Sequence, residues 1–173
     1  MVITWLTTLI YFSWGWECGT HTSNLPQIQF VEQSERRLAS GSNREDQLSP
    51  IRMHFHYYNF DLGSTERNNY FKQKIMASVE RWFTSALYVY PLKIPLSLNG
   101  LTFCGDEITI PEEHKNPGVE TDLIIYVAST DQDTQSYVAY AGACAMESSG
   151  RNNVVAGRTV VNSYYFNNMD FET

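Results

Sequence analysis

Between Pro50 and Tyr58 apolar and polar side chains alternate. Ile51, Met53, Phe55 and Tyr57 interleave with Arg52, His54, His56 and Tyr58. A period of two marks a half-buried strand and puts His54 and His56 on one face. From Thr65 to Tyr90 the period changes. Phe71, Ile75, Val79, Trp82, Phe83, Ala86 and Tyr90 fall at the spacing of one apolar helix stripe. Ser64 or Thr65 can cap the start, Glu66 complements the N-terminal dipole, and Pro91 stops the helix because its ring cannot continue the pattern. A stripe of this kind reads as core packing, the underside of a long helix lying on a sheet.

Beyond Pro91 the chain crosses irregularly through Pro95, Asn99 and Gly100. The run Asp122-Leu-Ile-Ile-Tyr-Val-Ala128 is almost continuously apolar and β-branched, which suits a strand buried on both faces. Val138–Ala143 and Val154–Val161 read as two further strands, parted by the polar loop 147–153. One strand, a long helix and three strands predict a mixed α/β (α+β) fold: a twisted mixed sheet covered by one long helix.

The first 16 residues carry no charged side chain and are mostly apolar. The run is shorter than the roughly 20 residues of a spanning helix and suits a secretory signal peptide over residues 1–15, cut after Gly15. A buried N-terminal strand is the alternative. Residues 16–49 are polar and short of aliphatics, reading as a loosely structured pro-segment or linker, and the folded part begins at Pro50. Secretion allows disulfides, and the chain has three cysteines, Cys18, Cys104 and Cys144. Cys104 and Cys144 sit in the folded portion and are the expected pair. The composition is apolar enough for a sizeable core. Nineteen acidic against 12 basic residues give a net charge of −7, which repels polyphosphates and argues against a nucleic-acid partner.

Local constellations for chemistry are weak. His54 and His56 could ligate a metal from one strand face, but no third His or Cys lies nearby in sequence, so a solvated face is expected. Glu112, Glu113 and His114, with Lys115 adjacent, read as a solvated turn. Asp131 and Asp133 hint at a calcium loop but lack the Gly and Glu that complete one. Cys144 as a nucleophile would need an imidazole that the sequence does not identify, and a structural disulfide is favoured. Nucleophile elbows and phosphate loops are absent.

Four segments together carry a resemblance: Ile110-Pro-Glu-Glu-His114, Gly118-Val-Glu-Thr-Asp-Leu-Ile-Ile-Tyr-Val127, Ala139-Tyr-Ala-Gly-Ala-Cys144 and Val155-Ala-Gly-Arg158. In this order and spacing they resemble the leishmanolysin-type (M8, metzincin) metallopeptidases, over about Pro50 to Asn162. The resemblance implies an extracellular zinc endopeptidase acting on protein or peptide substrates, made with a signal and a pro-segment. In that family two histidines of a His-Glu-x-x-His helix and a later His hold zinc, and the Glu activates the zinc-bound water. None of these residues can be carried onto this sequence, in which the motif does not occur, and Met169 does not match the family's Met turn. Cys18-Gly-Thr-His21 resembles the family's zinc-capping pro-segment motif with its spacing off by one. The expectation is therefore the N-terminal part of a family protease, inactive alone, with zinc held only by the full-length protein. Any membrane anchor would come from sequence not present here. Two alternatives are a non-catalytic secreted or cell-surface adhesion and binding relative, and an unrelated small secreted α/β domain.

Overall fold

A computed structural model describes residues 28–31, 48–105, 108–134, 136–148 and 153–167. In chain order its elements are β1 (Gln29–Val31), β2 (Ser49–Pro50), β3 (Met53–Tyr58), α1 (Thr65–Tyr70), a π-helical segment (Phe71–Met76), α2 (Ala77–Ala86), β4 (Tyr88–Val89), β5 (Phe103–Cys104), β6 (Ile108–Thr109), α3 (Glu112–Lys115), β7 (Leu123–Thr130), β8 (Ala139–Glu147), β9 (Val154–Asn162) and α4 (Ser163–Asn167). Five strands form one sheet in the order β1-β8-β9-β7-β3. β7 runs parallel to both β3 and β9, β8 is antiparallel to β9, and β1 is parallel to β8. The sheet is therefore mixed, as the α+β reading expects.

β7 explains its own sequence. Flanked on both sides by strands, it sends Ile124, Tyr126 and Ala128 into one core and Ile125 and Val127 into the other. An apolar run without alternation is what a strand covered on both faces requires. The second core lies under the helical segment, where Leu62, Phe71, Met76, Val127, Val161 and Phe166 pack together. The first core is covered differently. Leu92, Leu96, Leu98, Leu101, Ile108 and Ile110, from the irregular crossing and the β5–β6 hairpin, close that face without a long helix.

Three expectations change. The helix starts where predicted, with the Ser64 side chain accepting from Arg67 N at 3.2 Å. It then winds through a π segment and ends at Ala86 rather than Tyr90. A π segment shifts the phase of a helix stripe. Phe71 and Met76 are buried as a result, while Trp82, counted in the predicted stripe, stands 62% exposed. The end comes from strand pairing before Pro91 is reached. Leu87 is extended, its carbonyl accepts from Ile51 N at 3.0 Å, and Tyr88–Val89 pair with Ser49–Pro50. Within the segment read as pro-segment or linker, Gln29–Val31 form an edge strand on β8. The signal-peptide call, Cys18, residues 32–47 and Met169 lie outside the described residues.

The start of β7 is clasped to the start of β3 by Asp122, which is buried. Its carboxylate accepts from Arg52 Nε at 2.9 Å, Arg52 Nη2 at 2.9 Å, the Arg52 backbone N at 3.1 Å and Leu92 N at 2.8 Å. Arg52 also donates to the Leu92 carbonyl at 2.8 Å. One carboxylate thus fixes the register of two strands and the entry of the crossing segment.

Cys104 on β5 and Cys144 on β8 are joined by a disulfide, which ties the hairpin to the sheet.

Candidate metal centre

β3 is an edge strand of the sheet. Its odd positions Phe55 and Tyr57 pack toward the helical segment, so period two turns His54 and His56 to the opposite face. The parallel register sets His54 beside Ile124 and His56 beside Tyr126. This face is not open to solvent. Both histidines are half-buried, because the crossing segment and α3 lie over it.

α3 is a single turn, too short to be stable by itself, and backbone bonds fix it in place. The His114 carbonyl accepts from Leu98 N at 2.9 Å, the Lys115 carbonyl from Ser97 Oγ at 2.6 Å, and the Glu113 carbonyl from Gly118 N at 3.0 Å. Gly118 adopts φ +96°, and a Cβ there would stand 2.6 Å from the Leu96 carbonyl oxygen. Only glycine fits this close approach at that φ. The outcome is that Glu112, Glu113 and Lys115 face outward or sideways while His114 turns in and is 4% exposed.

The buried imidazole meets the two on β3. Each histidine offers a ligand atom such that the three lie within 4.8 Å of one another. The ring of His114 stands edge-on to His54, centroids 5.4 Å apart at 85°, and to His56 at 4.8 Å and 82°. Its Nδ1 is 2.8 Å from the Tyr126 hydroxyl. Burial pushes the His114 imidazole down to about 4, with His56 and His54 adding to the shift and Glu113 opposing it. His56 is lowered as well, by burial first and His54 second. Burial and the charge of Glu113 raise the Tyr126 phenol. At neutral pH His56 and His114 are therefore neutral rings, and Tyr126 is a protonated phenol. Tyr126→Phe leaves the His114 nitrogen buried without its partner, and should cost about 1–2 kcal/mol, read as a lower urea midpoint with an unchanged slope.

Sequence reasoning missed this grouping twice. The sequence expectation places His54 and His56 on a solvated face and His114 in a solvated turn, whereas the first two are half-buried and the third is buried. The third histidine comes from the element folded over the sheet, which sequence proximity could not reveal. The available signal was the period-two face of β3 set against the buried run of β7. Asp131 and Asp133 are exposed and, among the described residues, join no group of three ligands. Cys144 is bonded to Cys104 and so is no free thiol.

Among curated proteins none matches the chain at a significant level. Among protein families, the leishmanolysin model, peptidase M8, matches residues 58–167. The matched span takes in His114, Tyr126 and both bonded cysteines, and begins after His54 and His56. It covers well over half of the 173 residues, and the chain belongs to the leishmanolysin family of metallopeptidases.

Proposed function

We propose that this chain forms the N-terminal sheet of a secreted or cell-surface zinc metalloendopeptidase, whose catalytic zinc is held by a His-Glu-x-x-His helix encoded outside these 173 residues. The family match over residues 58–167 carries this reading. The apolar leader and the Cys104–Cys144 bridge support an oxidising, extracellular setting. The residues present do not fit the family's catalytic zinc. His54 and His56 are strand neighbours at i and i+2 instead of helix neighbours at i and i+4, and the motif that would supply a glutamate base does not occur in the sequence. No catalytic step is assigned to them. The role of this chain is to provide the sheet against which such a helix packs, and its substrates are proteins or peptides.

A second reading, a non-catalytic binding relative, draws on the exposed apolar stripe of α2 and β4. Trp82 is 62% and Tyr88 59% exposed, enough to contact a partner or the remainder of a peptidase domain.

The test is to read the native transcript past the Thr173 codon and assay the encoded protein on a casein substrate. Continuation into His-Glu-x-x-His, with cleavage that a chelator abolishes and that the 173-residue chain lacks, is expected. A stop codon directly after Thr173, or cleavage by the 173-residue chain itself, overturns the reading.

A further inference from the structure

Three of the four histidines in the chain converge at one place, and none of them belongs to a His-Glu-x-x-His motif. The geometry points to a binding site for a borderline transition-metal dication, zinc foremost, made by His54, His56 and His114.

The donor set decides the class of metal. Imidazole nitrogens suit zinc, copper, nickel and cobalt, whereas magnesium and calcium demand oxygen ligands. A tetrahedral ion with bonds of about 2.0–2.1 Å holds its nitrogens about 3.3 Å apart. The three ligand atoms already lie within 4.8 Å of one another, so modest side-chain rotation on β3 closes the set. The rings of His54 and His56 stand near-perpendicular to that of His114, at 85° and 82°, rather than stacked face to face. His114 has its Nδ1 engaged by Tyr126 at 2.8 Å. That leaves Nε2 for the ion and gives the ring the orienting partner that metal-bound histidines usually have.

Three protein ligands leave a fourth position. Half-buried His54 and His56 open this position to solvent, so water or an external ligand completes the tetrahedron. An ion here would bond edge strand β3 to α3, two elements that already meet through the ring contacts of His54 and His56 with His114. It would act as a cross-link, and it stabilises only the folded state because the three ligands are scattered in the unfolded chain.

Titration of the metal-free 173-residue chain with cobalt(II), then zinc, tests the site. The expected result is one equivalent of cobalt with the intense visible bands of tetrahedral coordination, displaced by zinc and insensitive to magnesium. His54→Gln and His56→Gln should each weaken binding by more than the roughly tenfold to hundredfold typical of losing a supporting partner. Both positions are half-buried, and circular dichroism checks that the variants fold. The control pair Cys18→Ser and His21→Gln should leave binding unchanged. A measurement without mutation backs these: zinc should shield His54 and His56 from carbethoxylation by diethyl pyrocarbonate, read by peptide mass. Absence of a tetrahedral cobalt spectrum, or binding that survives the β3 variants and disappears with the control pair, overturns the site. Peptidase activity does not enter either outcome, so this proposal and the peptidase reading stand or fall apart.

Discussion

Asp122→Ala should destabilise the fold by about 2–4 kcal/mol, because it takes the acceptor from two backbone donors, and an unsatisfied buried donor costs about 1–3 kcal/mol. Arg52 is the lesser loser. Its side chain is 42% exposed against 0% for Asp122, so its guanidinium can turn to water once the carboxylate is gone. The buried Leu92 N–H, and with it the Arg52 N–H, cannot do so as easily. Most of the effect should therefore come from the backbone. Arg52→Ala removes the cation and leaves both backbone donors paired, so its cost should be clearly smaller. Urea unfolding at pH 7 of the two single variants and the double variant measures the difference, and equal costs would reject this division. The pH dependence follows. Burial alone would raise the Asp122 carboxyl, but hydrogen bonds from Arg52, Leu92 N and Arg52 N outweigh it and hold the group below its usual value. A folded-state value below the unfolded one means the stabilisation is fully present above about pH 4. It is lost as pH falls through the lower folded-state value. Asp122→Ala should flatten that acid limb.

The elements that could be read from sequence are those whose environment is simple. β7 announced itself because a strand covered on both faces needs apolar residues at successive positions, and Ile124 through Val127 supply them. The strand at Met53–Tyr58 was legible from its alternation, but alternation says only that two faces differ, not which is wet. Here the face bearing His54 and His56 is roofed by a segment carrying Leu96 and Leu98, whose burial was hidden by intervening Pro95, Ser97, Asn99 and Gly100. His114 was illegible for a related reason. Its neighbours Glu112, Glu113 and Lys115 are those of a surface turn, and only the bonds from Leu98 N to His114 and from Gly118 N to Glu113 turn that one side chain inward. The helix failed at its end because Leu87–Val89 can pair as strand as well as wind. A partner at Ser49–Pro50, more than thirty positions earlier, settles that competition.

Removing the Cys104–Cys144 bridge should cost about as much as losing Asp122, for a different reason. The two residues are 40 apart in sequence, and closing a loop of that length in the unfolded chain is worth about 4 kcal/mol on the chain-entropy account, with 2–5 kcal/mol typical of native bridges. Both cysteines are buried in the first core. A double Cys→Ala replacement keeps the site apolar and isolates the cross-link, whereas a single replacement adds a stray thiol. The double variant should lower the urea midpoint and, because its unfolded chain is less constrained and exposes more surface, steepen the slope. An unchanged midpoint after complete removal of the bridge would show that the hairpin is held by packing alone. The location predicts a second effect. β5–β6 lead through Ile108 and Ile110 directly into Pro111 and α3, so a hairpin no longer tied to β8 gives α3 a longer, looser approach. His114 should then sample more positions against Tyr126. Cobalt or zinc affinity should fall in the double variant although none of the three ligands has been touched. A metal affinity equal to wild type would instead show that the bonds from Leu98, Ser97 and Gly118 are enough to set His114 in place.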